Sequence, residues 1–152
     1  MLNKTKMEFQ NAYENAIYVV LANPTSTKNP TDTEFQIQIG EINQSLNDWM
    51  NGNGYQTAAI ITACNPKGIK VEPIKNQDAM RVLMKQIEEQ QLPYLMAYGS
   101  NREGTWREDS YCLFNVTQDQ AVQLSQIHQQ NAFVWLEANK EAELIWPSEH
   151  TD

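Results

Sequence analysis

The sequence predicts one domain of α/β or α+β class, a single mixed β-sheet of about five to seven strands with helices packed on it. Three observations predict it. Apolar residues recur at helical spacing in three separate stretches, 42–50, 80–87 and 121–124. Alternating or doubly apolar runs of strand length lie between them. The chain has 152 residues, which favours one domain that buries its own core without disulfides or metals.

Met7 to Asn15 reads as a short helix or turn leading to a strand at Ile17–Leu21. Asn23 to Thr33, with two Asn-Pro steps, reads as loop. In "TEFQIQIG" Phe35, Ile37 and Ile39 face one way and Glu34, Gln36 and Gln38 the other, as in a strand near a sheet edge. Ile42, Leu46, Trp49 and Met50 form a helical stripe that "NGNG" at 51–54 ends. Thr57 to Cys64 is apolar on both faces, as in a central strand covered on both sides. Met80, Leu83, Met84 and Ile87 mark the next helix, with Asn76 as its expected N-cap. Tyr94–Tyr98 and Ser110–Val116 are strands joined through a turn at Gly99 to Gly104. Thr117 and Gln120 resemble a capping box that opens a helix to about Gln130. Ala132–Glu137 and Glu143–Trp146 form a closing hairpin around Asn139-Lys140. Residues 1–6 and 147–152 read as polar tails.

A net charge of -8 and a pI near 4.7 argue against general binding to nucleic-acid backbone, which needs clustered Lys and Arg. They leave room for a basic protein partner, or serve solubility alone. A small molecule is the other partner expected, from the polar edge of the sheet. Cys64 and Cys112 lie in apolar, strand-like stretches and have no metal-site or disulfide spacing, which fits a reducing, cytoplasmic setting. No apolar run is long enough for a transmembrane helix, and Ala16 to Ala22 is too short and wrongly flanked for a signal peptide. No phosphate-binding glycine loop and no serine nucleophile elbow appears, and two separated histidines suggest no metal site or cofactor.

Chain direction brings distant residues together. If Thr57–Cys64 runs up, the next helix descends, Tyr94–Tyr98 runs up, and Ser110–Val116 runs down. The last helix then climbs and Ala132–Glu137 descends. The upper edge thereby gathers Thr62, Asn65, Asn76, Tyr98, Trp106, Glu108, Gln130 and Asn131. Converging side-chain amides either satisfy one another or meet a ligand, since an unmet buried one costs about 1–3 kcal/mol.

Each of these residues has a structural reading beside its functional one. Asn65-Pro66 starts a turn or presents an amide. Asn76 caps a helix or bonds the loop after Pro66. Glu108, beside Trp106, is the acid/base candidate, because an aromatic neighbour desolvates a carboxylate; its structural reading is a pair with Arg107, Arg102 or a backbone amide. Gln130 and Asn131 join a helix end to a strand, where Asn is an ordinary stop. Trp106 or Tyr98 offers a stacking face. Arg102 and Arg107 read as solvated, His128 as a satisfied, partly buried histidine, and Cys64 as inert.

The blocks "AAIITACNPKG", Asn76, "TWREDSYCL" and "QQNAFVWLEANKEAELI", in this order and spacing, resemble the bacterial family known as domain of unknown function 3293. The resemblance extends weakly to "NAYENAIY" and Ile39-Gly40, so it covers nearly the whole chain. It implies a single small cytoplasmic domain and no established activity. The motif matches Thr62, Asn65, Pro66, Asn76, Trp106, Glu108, Gln130 and Asn131. The family usually has an aromatic where this chain has Cys64, which counts against that cysteine as a nucleophile. Two functions fit: a polar small-ligand site, nucleotide-like in character, at one edge of the sheet, and an acidic protein-interaction module without catalysis. The sequence leaves oligomeric state and enzymatic activity open.

Overall fold

The computed structural model describes residues 6–22 and 34–149. The loop expected over Asn23–Thr33, and residues 1–5 and 150–152 of the expected tails, lie outside the described residues. In order, the elements are α1 (Lys6–Glu14), β1 (Ile17–Leu21), β2 (Glu34–Ile37), α2 (Gln44–Gly52), β3 (Thr57–Ile61), α3 (Pro73–Glu89), β4 (Tyr94–Ser100), β5 (Arg107–Phe114), α4 (Gln118–Ile127), β6 (Phe133–Glu137) and β7 (Glu143–Ile145). Short 3₁₀ turns follow β3 at Pro66–Gly68 and β7 at Pro147–Glu149.

The strands form one sheet in the order β2-β1-β4-β5-β3-β6-β7. Every pairing between neighbours is antiparallel. β3 and β4 run the same way, as the chain path predicts, but β5 lies between them. Of the two expected classes the fold is therefore α+β. Connections through α3 and α4 each step over one strand, which places residues 65, 108 and 130 at the same end of neighbouring strands.

Side-chain alternation divides the core. On one face Ala59, Ile61, Leu113 and Trp135 meet Met80, Leu83 and Ile87 of α3 and Ala121, Val122 and Leu124 of α4. On the other, Ala58, Ile60, Phe114 and Leu136 meet Leu46 and Met50 of α2. Trp49 and Tyr55 close on Phe114 with ring centroids 5.1 and 4.9 Å apart. β3 is buried on both faces, which is why its sequence is apolar throughout. α2 covers only the lower half of its face, and the upper half is left to α1.

Several local expectations change. β3 stops at Ile61, and Thr62 leaves the ladder: its Oγ1 donates to Asp109 O at 2.6 Å and accepts from Cys64 N at 3.0 Å. Ile42 precedes α2 and is 45% exposed; Asn43 caps that helix, its Oδ1 accepting from Leu46 N at 2.8 Å. Asn76 is not an N-cap. α3 begins at Pro73, whose missing N–H needs no partner at a helix start, and Asn76 sits one turn further in. The capping box at Thr117 and Gln120 is present.

Candidate functional site

Where α1 faces the upper half of the sheet a cleft opens, enclosing about 520 Å³ when the solvent at its mouth is counted. Alternation along β5 turns Trp106, Glu108 and Ser110 into it, and β3 with its extension contributes Ile60 and Thr62. Asn65, Gly68 and Gln130 come from the connections at the top edge. The opposite wall is Tyr13 of α1 and Tyr18 of β1.

Asn65 is the support of this arrangement. It adopts a left-handed φ of 48°, a conformation that asparagine tolerates better than most residues. Its Nδ2 donates to Glu108 Oε2 at 2.8 Å. Its Oδ1 accepts from Asn76 Nδ2 at 3.0 Å and from Val71 N at 3.1 Å. Asn76 Oδ1 in turn accepts from Asn65 N at 2.9 Å. The paired amides leave Asn65 one orientation, donor toward Glu108.

Glu108 is not paired with Arg107 or Arg102. Arg107 lies on the other face, 3.6 Å from Asp109 and with its guanidinium 3.8 Å from the centre of the Tyr98 ring. Arg102 donates to Asn15 O at 3.4 Å. With burial as the main influence and only the Asn65 amide opposing it, the Glu108 carboxyl is pushed up from its ordinary 4.5 to about 7. Its second oxygen has no protein partner among the described residues.

The walls carry their own bonds. Tyr18 OH donates to Tyr13 O at 2.8 Å, and Asn131 Nδ2 donates to Tyr13 OH at 3.2 Å. Burial raises the pKa of both tyrosines, more strongly at Tyr18. Gln130 Nε2 donates to Cys64 O at 2.9 Å and His128 O at 3.2 Å. Two glycines make room. A Cβ at Gly99 would meet the Tyr18 ring at 3.2 Å, and one at Gly68 would lie 2.5 Å from Phe9 of α1.

Of the eight residues expected at the upper edge, Thr62, Asn65, Trp106, Glu108 and Gln130 line the cleft. Asn76 lies behind Asn65, and Asn131 holds Tyr13 at the wall. Tyr98 does not join them. It pairs with Asp109 across the ladder and turns to the opposite face, because side chains alternate along β4. Cys64 packs in the α3/α4 core with its thiol pKa raised by burial. His128 is buried with its ring Nε2 2.6 Å from Gln86 Oε1, and burial lowers its pKa. Sequence reasoning missed Tyr13, Tyr18, Gly68 and Gly99. Gly68 closes the turn-forming stretch Asn65-Pro66-Lys67-Gly68, which was a local cue, whereas the tyrosines approach through long-range packing alone.

Among the described residues no helix is long and apolar enough to cross a membrane, and no cluster of His, Cys, Asp or Glu is arranged to hold a metal. No curated protein and no solved structure matches the chain significantly. Residues 61–133 match the family model described as "Protein of unknown function (DUF3293)". That segment runs from the end of β3 to the start of β6 and carries Thr62, Asn65, Asn76, Trp106, Glu108, Gln130 and Asn131, and over it the chain is similar to the domain of unknown function 3293 family.

Proposed function

We propose that the cleft beneath α1 is a small-ligand site in which Glu108 anchors the ligand and exchanges a proton with it. One observation carries this reading: a half-buried carboxyl in a concave, aromatic-walled site is held by a neutral amide and by no cation among the described residues. A carboxylate that served only the fold would be better stabilised by one of the nearby arginines, yet both turn elsewhere. A carboxyl whose pKa is near 7 is populated in both protonation states near neutral pH, which suits a general acid or base. The pocket's few polar groups within an apolar and aromatic lining match the usual make-up of small-molecule sites.

The test is a thermal-shift screen of nucleosides and metabolites on the wild-type chain and on Glu108→Gln. A ligand of the native state raises the melting temperature. The expected result is a subset of compounds that shift the wild type and lose most of that shift in the variant. Equal shifts in both proteins, or none in either, would refute the reading and favour an acidic surface module that recognises a protein.

A further inference from the structure

The hydrogen-bonding capacity left over in the cleft says which chemistry it takes. Asn65 has no acceptor left for a ligand, since its oxygen accepts two bonds; of its two amide N–H groups one donates to Glu108 and the other stays available. Gln130 spends its amide group on two carbonyls, Cys64 O and His128 O. Two acceptors fix which end of that side chain is nitrogen, so its oxygen is the free end. Ser110 donates to Glu108 O at 3.3 Å, and Tyr18 donates to Tyr13 O. What remains are two acceptors, the second carboxyl oxygen of Glu108 and the amide oxygen of Gln130, beside neutral donors only: the Tyr13 hydroxyl, the second Asn65 N–H and the Trp106 indole N–H. The one group able to carry charge near pH 7 is an acceptor.

Charge points the same way. The lining holds one acidic side chain and no Lys, Arg or His. A phosphate or carboxylate would enter without a counter-ion and beside a like charge. The nucleotide-like ligand expected from the sequence therefore narrows to something without its phosphates. Tyr13, Tyr18 and Trp106 line the cleft with the acid, and the faces of aromatic rings attract cations as well as apolar groups. The net charge of -8 biases encounter toward cations.

We propose that the cleft takes a small organic cation, a protonated amine, amidine or guanidine, with its N–H groups on Glu108 and Gln130 and its flat or apolar part against Trp106 and the tyrosines. This rests on the ligand-site reading above and names the class of ligand. Binding requires the Glu108 carboxylate, so it is linked to loss of that proton. The other titratable groups facing Glu108 are Tyr13 from α1, Tyr18 from β1 and Cys64 beyond the end of β3, all with raised pKa values and hence neutral near pH 7.

Three probes of one shape and different charge test it: benzamidinium, benzamide and benzoate. Each is titrated into the full chain while the Trp106 indole N–H is followed by NMR, with Trp106→Phe to assign the peak. The expected result is saturable binding of benzamidinium, about 10-fold or more tighter than the other two, with the preference lost in Glu108→Gln. In the wild type, benzamidinium affinity should rise several-fold between about pH 5.5 and pH 8 as Glu108 ionises. That measurement stands even if the variant folds poorly. If benzamide or benzoate binds beside Trp106 as tightly as benzamidinium, or if cation affinity is flat with pH, the cation proposal falls and the ligand site stands. If no probe and no compound of the thermal screen perturbs Trp106, both fall.

Discussion

Glu108 binds its proton more tightly folded than unfolded, because its pKa rises from 4.5 to about 7 on folding. Between those values the native state holds more protons than the unfolded chain, so stability falls as pH rises through the window. Glu108→Gln removes that slope. The variant should match the wild type near pH 4.5 and exceed it at pH 8, by a few kcal/mol at most, in urea unfolding series. A wild-type slope that survives the substitution would assign it elsewhere. Asn65 opposes the shift, since its N–H favours the charged carboxylate. Asn65→Gly keeps the left-handed φ and deletes the amide. The Glu108 titration midpoint, read from its carboxyl ¹³C shift, should move above 7. At this scale the sequence disclosed the residue types at the upper edge but not their division of labour. Asn76 carries every mark of a cap, yet Pro73 starts the helix earlier and frees it to brace Asn65.

Among the elements, α1 is the one whose attachment governs the cleft. None of its residues is fully buried, so it is held by edge contacts: Tyr13 to Asn131, the Tyr13 and Trp146 rings 5.9 Å apart, Lys6 to Glu149, and Phe9 over Gly68. Gly68 has a φ of 74° and no room for a methyl group. Gly68→Ala should cost about 1–3 kcal/mol in strain and lift Phe9 from its seat. Denaturant melts should show the loss, and the α1 amides should exchange faster than in the wild type. Unchanged α1 protection would mean that the helix is anchored without this contact. The helices and strands themselves were legible because their signals are local: a capping box at Thr117, alternation through Phe35 and Ile37, and Asn139, with a φ of 67°, at the final hairpin turn. The approach of α1 was not legible, because Tyr13 meets a residue 118 positions away.

Across the whole molecule, order is set by position in the sheet. β3 is central and covered on both faces, β5 is central and buried through its C-terminal half, while β2 and β7 are edges. Native-state hydrogen exchange should be slowest in β3 and β5 and fastest in α1, β2 and β7, with the cleft at the junction of the two regimes. Uniform protection throughout would contradict this ranking. The up-and-down path of the chain was readable from element order alone, but the neighbour relations were not. β5 inserts between β3 and β4, and nothing local in its sequence announces which strands it will join. That insertion also decides which of two consecutive acids is the special one. Glu108 and Asp109 are adjacent in the chain but project from opposite sides of β5, opposite Gly99 and Tyr98 of the neighbouring strand. Slipping β5 by a single position would swap them, giving the aromatic chamber to an aspartate one methylene shorter and exposing the glutamate to solvent. The acidity of this chamber is thus a property of strand alignment as much as of the glutamate itself, and hydrogen-bond pairs far from it hold the acid in place.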